Sequence, residues 1–243
     1  MPALASARPG GYPDGMQVIA HRGWSEREPE NTHAAFAAAC TTACAGLEMD
    51  LRLAADGTVV VCHDASLARW GGGRTPIRRL SLAELRTRWP LPTLAEVLER
   101  YAGRELWLEL KPHGGAAWTR RLVRAVCTLS QPHRDRVRIL CFSPLVLTWV
   151  RRGWPQLPLV RNCVRPGATA AWWRQQAAAG IATVDAWQGA WNTASVALAQ
   201  THGVATSAWT VDCAADLDRL RRLGVGTVIT DRPAWAVERL AHV

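Results

Sequence analysis

Two histidines, His21 and His63, and two acids, Glu48 and Asp50, fall at strand ends within the stretch from Val18 to Asp64. A further acid–base pair, Glu109 and Lys111, stands much later in LWLELKP. Val18-Ile19-Ala20 is a short apolar run of strand type, and polar residues begin where it stops, at His21-Arg22-Gly23. In GLEMDL and in LWLELK the paired residues are two apart, and residues i and i+2 of a strand project to the same face. Each pair therefore aims both side chains into one space. Three converging carboxylates repel one another unless a hard divalent cation joins them, and oxygen ligands select Mg²⁺ or Ca²⁺ over zinc. Glu48, Asp50 and Glu109 are the candidate ligands, with Lys111 and Arg22 facing an anion bound to that cation. Histidine, with an unperturbed pKa of about 6.5, suits acid–base work near neutrality.

The surrounding motifs stand in a fixed order. They are His21-Arg22-Gly23, Pro29-Glu30-Asn31-Thr32, Glu48-Met49-Asp50, Asp56-Gly57 through His63-Asp64, Glu109-Leu110-Lys111, Trp209-Thr210-Val211 and Ile229-Thr230-Asp231-Arg232-Pro233. This order resembles the glycerophosphodiester phosphodiesterase family, and the likeness spans about residues 17–235. The resemblance implies metal-dependent hydrolysis of small-molecule glycerophosphodiesters to sn-glycerol 3-phosphate and an alcohol. It also implies His21 as base and His63 as acid, which the residues alone leave unassigned. Glu30 either orients Arg22 or belongs to the cation shell. Trp209 either floors a glycerol pocket or packs the core, and Asp64 fixes the loop after His63. One departure is visible: the two threonines usual after the arginine that follows His-Asp are replaced at Arg69-Trp70-Gly71, in a loop placed to influence substrate choice.

Eight strand-like runs are expected to position these residues: 17–21, 46–51, 106–110, 137–142, 158–163, 181–184, 204–209 and 226–229. Helical patterns at 32–44, 93–102, 116–130, 144–152, 168–179, 193–202, 213–223 and 233–241 alternate with them. Alternation implies a parallel sheet, either doubly wound or closed as a (β/α)8 TIM barrel, and the resemblance favours the barrel. Asn31 is expected to cap the first helix, and Gly203 and Gly224 to follow helices as C′ glycines. Residues 52–92 exceed a simple βα connection. They read as a small cap-like insertion after strand two, within one domain covering residues 1–243.

The 243 residues suffice for one barrel-sized domain, and 49% are apolar, enough for a core. Net charge is +9, yet the arginines are scattered, as on solvated helix faces, so no nucleic-acid partner is expected. Of the 29 basic residues Lys111 is the only lysine. Lysine and arginine do not substitute at a tight phosphate site, so this one is read as functional. The seven cysteines contain no C-x-x-C and read as free thiols of a reducing compartment. MPALASARPGGYPDG lacks the apolar core of a secretory signal, and no apolar run reaches the ~20 residues of a membrane span. A cytoplasmic location is the default expectation. The competing functional reading is a phospholipase-type barrel cleaving lysophospholipids or sphingolipids.

Overall fold

A computed structural model describes residues 15–242. Residues 1–14, most of the stretch expected to carry no secretory signal, lie outside it. The chain runs β1 (Gln17–Ala20), α1 (His33–Cys40), β2 (Gly46–Leu53), β3 (Val59–Val61), α2 (Leu82–Arg86) and α3 (Leu94–Arg100). It continues through β4 (Glu105–Leu110), α4 (Ala116–Ser130), β5 (Val137–Cys141), α5 (Pro144–Gly153), β6 (Leu159–Cys163) and α6 (Ala170–Ala178). The remaining elements are β7 (Ile181–Trp187), α7 (Thr193–Thr201), β8 (Ala205–Trp209), α8 (Ala214–Leu223), β9 (Thr227–Thr230) and α9 (Pro233–Ala241).

Eight of these strands are parallel, in the order β1-β9-β8-β7-β6-β5-β4-β2, and a β1–β2 pairing closes the ring. The fold is a (β/α)8 barrel. Strand alternation divides its core into two layers. Leu47, Met49, Leu51, Leu106, Leu108 and Leu110 point outward into the main cluster beneath the helices. Ile19, Trp107, Leu140, Val160 and Ile229 form a separate cluster inside the barrel. The helices answer with apolar stripes: α4 buries Leu122, Val123, Val126 and Cys127, the three- and four-residue spacing of one helix face.

β2 outruns the barrel. Gly46 to Leu51 pair with β4, while Leu51 to Leu53 pair with the antiparallel β3. The segment between β2 and α3 holds β3, α2 and two short 3₁₀ turns around an apolar cluster of its own, which includes Val60, Leu67, Ile77 and Leu85. Trp70 and Trp89 stack beside it with centroids 4.7 Å apart.

One cap expectation fails. Thr32, not Asn31, caps α1, its side chain accepting from the Ala35 amide. Asn31 instead adopts φ 58° and turns its side chain to Asp50, since Asn tolerates left-handed backbone and the buried carboxylate offers the stronger partner. Gly224 ends α8 in the left-handed conformation, as expected. The cysteines are free, with Cys44, Cys62, Cys127 and Cys141 buried. Among the described residues no helix is long and apolar enough to cross a membrane.

Candidate active site

The sequence-derived residues converge at the carboxyl ends of the barrel strands. His21, Arg22, Glu48, His63, Glu109, Lys111 and Trp209 line one cavity of about 220 Å³. Asp50 and Glu109 are register partners on β2 and β4. Glu48, one inward position earlier on β2, completes a buried triad whose candidate ligand oxygens all lie within 4.8 Å of one another. Two oxygens sharing a cation lie at most twice the metal–oxygen distance apart, about 4.2 Å for Mg²⁺ and about 5 Å for Ca²⁺. The 4.8 Å bound lies within the Ca²⁺ span, and the all-oxygen donor set is that of a hard cation.

Its electrostatics point the same way. Burial, then the negative charges of Asp50 and Glu109, raise Glu48 well above the usual carboxylate range. Burial opposes ionisation of Asp50 too, but Arg22 and Lys111 outweigh it and hold Asp50 low. Burial raises Glu109 despite Lys111 beside it. Three acids this close do not all ionise comfortably without a further positive charge. Lys111 Nζ lies 2.7 Å from Glu109 Oε1 and 3.1 Å from Asp50 Oδ1. Arg22 Nε lies 3.1 Å from Asp50 Oδ2, and its backbone amide donates to Glu48 Oε2. Glu30 pairs with Arg22, accepting from Nη1 with both oxygens at 3.0 Å, and stands outside the triad. Trp209 lines the cavity, meets Phe142 edge to face and leaves its buried indole N–H without a partner.

Each histidine leans on a carboxylate that sequence reasoning gave no such part. His21 Nδ1 lies 2.6 Å from Asp231 Oδ1, and Ser25 Oγ donates to the same oxygen at 2.8 Å. His63 Nδ1 lies 2.8 Å from Asp64 Oδ1, so Asp64 fixes the ring itself as well as the loop. A carboxylate on Nδ1 holds that nitrogen protonated and leaves Nε2 as the reactive one. Burial lowers the His63 pKa, against the opposing pull of Asp50 and Asp64. The signal for Asp231 was present in Ile-Thr-Asp-Arg-Pro, but nothing local ties it to a histidine 210 positions away. Asn31 donates to Asp50 Oδ2 at 2.8 Å and was likewise missed. Asp185 and Asn162, also on the cavity wall, gave no sequence signal beyond polarity within an apolar strand.

Comparison with known proteins identifies the family. A model of the glycerophosphoryl diester phosphodiesterase family matches residues 21–235. A glycerophosphodiester phosphodiesterase of Caldanaerobacter subterraneus is 28% identical, covering 89% of this chain and 94% of its own length. One from Bacillus subtilis is 27% identical, covering 91% and 85%. An Oleispira antarctica phosphodiesterase solved in complex with the product sn-glycerol-3-phosphate superposes with a TM-score of 0.84 at 26% identity, covering 93% of this chain and 97% of that one. A Thermotoga maritima glycerophosphodiester phosphodiesterase shares the fold with a TM-score of 0.80 at 24% identity, covering 92% and 98%. The chain belongs to the glycerophosphoryl diester phosphodiesterase family and is an enzyme of that class.

Proposed function

We propose that the enzyme hydrolyses glycerophosphodiesters to sn-glycerol 3-phosphate and an alcohol, with Mg²⁺ or Ca²⁺ held by Glu48, Asp50 and Glu109. The observation that carries this reading is the buried triad, whose Glu48 and Glu109 line one cavity with two cations of the chain and two carboxylate-paired histidines. A bound cation supplies Lewis-acid polarisation of a phosphoryl oxygen. Arg22 and Lys111 hold phosphate oxygens and offset the charge that grows in the transition state. His21, its Nδ1 fixed by Asp231, accepts a proton at Nε2 from the attacking oxygen. His63, its Nδ1 fixed by Asp64, delivers one from Nε2 to the leaving alkoxide. The product complex of the Oleispira relative supports the glycerol-phosphate half of this assignment.

One observation favours a second reading, cleavage of lysophospholipids. Phe142, Leu145, Val164 and Trp187, at or just beyond the ends of β5, β6 and β7, are exposed large apolar side chains at the mouth. One experiment separates the two. Purified enzyme is given glycerophosphocholine, glycerophosphoethanolamine and lysophosphatidylcholine, with and without chelator. Glycerol 3-phosphate is expected from the first two, lost on chelation and restored by Mg²⁺ or Ca²⁺. Turnover of the lysolipid alone establishes the second reading, and full turnover in demetallated protein removes the cation.

A further inference from the structure

The described residues expose few large apolar side chains: Leu129, Phe142, Leu145, Val164 and Trp187. All but Leu129 stand together at the carboxyl end of the barrel. Phe142 follows β5, Leu145 lies in the first turn of α5, Val164 follows β6 and Trp187 ends β7. β5, β6 and β7 are successive neighbours in the sheet, so the four occupy about 10 Å of rim, two strand spacings. Leu145 and Val164 are the most exposed of them, at 58% and 59%. Phe142 alone among the four lines the cavity, so a substrate seated there leaves the other three bare.

Exposed apolar side chains are ordinary when scattered, but a contiguous group marks a surface that something covers. Charge narrows the choice of partner. The connections at residues 142–143, 164–169 and 188–192 contain no acid. From residue 136 to residue 211 the only acid is Asp185, which is buried. Arg165 is exposed directly after Val164, and Arg161 reaches the same rim by donating to the Phe142 carbonyl. An apolar ridge edged by cations, with no anion among them, suits a uniformly negative partner that is apolar just beneath. A bilayer containing acidic phospholipids is such a surface. Tryptophan, here Trp187, favours the boundary between headgroups and acyl chains. Four side chains fall well short of the roughly 20–30 residues a side of a stable protein interface. Membrane attachment instead grows with each apolar side chain inserted and each cation laid on the headgroups.

We propose that the rim of Phe142, Leu145, Val164 and Trp187, with Arg161 and Arg165, docks the enzyme on an anionic lipid bilayer. The rim covers one side of the cavity mouth. The opposite side, by β1 and β2, stays open to diesters arriving from water. Docking concerns where the enzyme sits and holds whichever diester the cavity takes.

The test is cosedimentation of the purified enzyme with vesicles of phosphatidylcholine, alone or with phosphatidylglycerol mixed in. Binding is expected to be at least about tenfold stronger on the mixed vesicles and to fall at least about tenfold in about 0.5 M salt. Leu145→Ser combined with Val164→Ser is expected to weaken it at least about tenfold, by removing two apolar side chains from the lipid. Arg165→Ala is expected to weaken it about fivefold and gives an independent reading should the double variant fold poorly. Leu129→Ser, near the far end of α4, is expected to bind as wild type does. Turnover of glycerophosphoethanolamine in free solution is expected to stay within about twofold in every variant, since none alters the cavity wall. Wild type that sediments with neither vesicle, or binds both equally, overturns the docking surface, as does binding unchanged in both the double variant and Arg165→Ala. Each of those results leaves the phosphodiesterase reading standing. Wild type that sediments with the mixed vesicles yet cleaves no glycerophosphodiester overturns that reading and leaves the docking surface in place.

Discussion

An aspartate that keeps its proton when buried makes stability depend on pH. Asp185 titrates near 8 in the folded enzyme because burial disfavours its charge. The unfolded chain gives up that proton near the ordinary aspartate value of 3.8. Between those limits the folded state binds one proton more, so stability falls as pH rises and levels off above about 8. The slope from this one group is about 1.4 kcal/mol per pH unit. Asp185→Asn, which does not titrate, is expected to be more stable than wild type, by a margin that widens from pH 5.5 to pH 8. Thermal unfolding of both proteins across that range checks it, and a margin constant with pH contradicts the assignment.

At the scale of elements, Arg69 links the segment between β2 and α3 to the carboxylates around the site. Arg69 Nε donates to Asp64 Oδ2 at 2.9 Å, its Nη atoms pair with Glu30, and its guanidinium lies over Trp70. Asp64 holds His63, and Glu30 holds Arg22. One arginine thus ties together the carboxylates that orient a proposed acid and a proposed phosphate ligand. Arg69→Ala is expected to lower kcat by roughly 3- to 30-fold with little change in melting temperature, because its ion pairs are substantially exposed. Arg69→Lys is expected to recover little, since one ammonium cannot reproduce a fork spanning two carboxylates. Wild-type kcat in the alanine variant, measured beside thermal unfolding, contradicts the link. The sequence made the elements legible because strand alternation and helix spacing are local patterns. Glu48, Asp50, Glu109 and Lys111 could be placed together for the same reason. Asp231 and Arg69 could not, because their partners are brought near only by barrel closure and by the fold of the 52–92 segment. Asn31 was misread because a side chain suited to a helix cap is equally suited to holding a buried carboxylate. Asp185 escaped because the apolar run before it reads as a strand ending at residue 184, whereas β7 continues to Trp187.

The molecule as a whole stores unfavourable charge at one end of its barrel. Three buried acids share a small space, and folding has to gather them. A ligand that binds only the folded state stabilises it, by about 2.7 kcal/mol at a hundredfold excess over Kd. Mg²⁺ or Ca²⁺ is therefore expected to raise the melting temperature by roughly 5–10 °C in a domain of this size. Glu48→Gln is expected to lose most of that rise, which calorimetry with and without cation can read independently of turnover. An equal rise in wild type and variant places the cation elsewhere. The same end of the barrel holds the chain's only lysine, its ammonium wedged between Asp50 and Glu109, whose charges keep it protonated despite burial. Labelling lysine at Nζ alone consequently yields one ammonium resonance from the entire protein, and that resonance reports directly from the proposed reaction site without any mutation or attached probe.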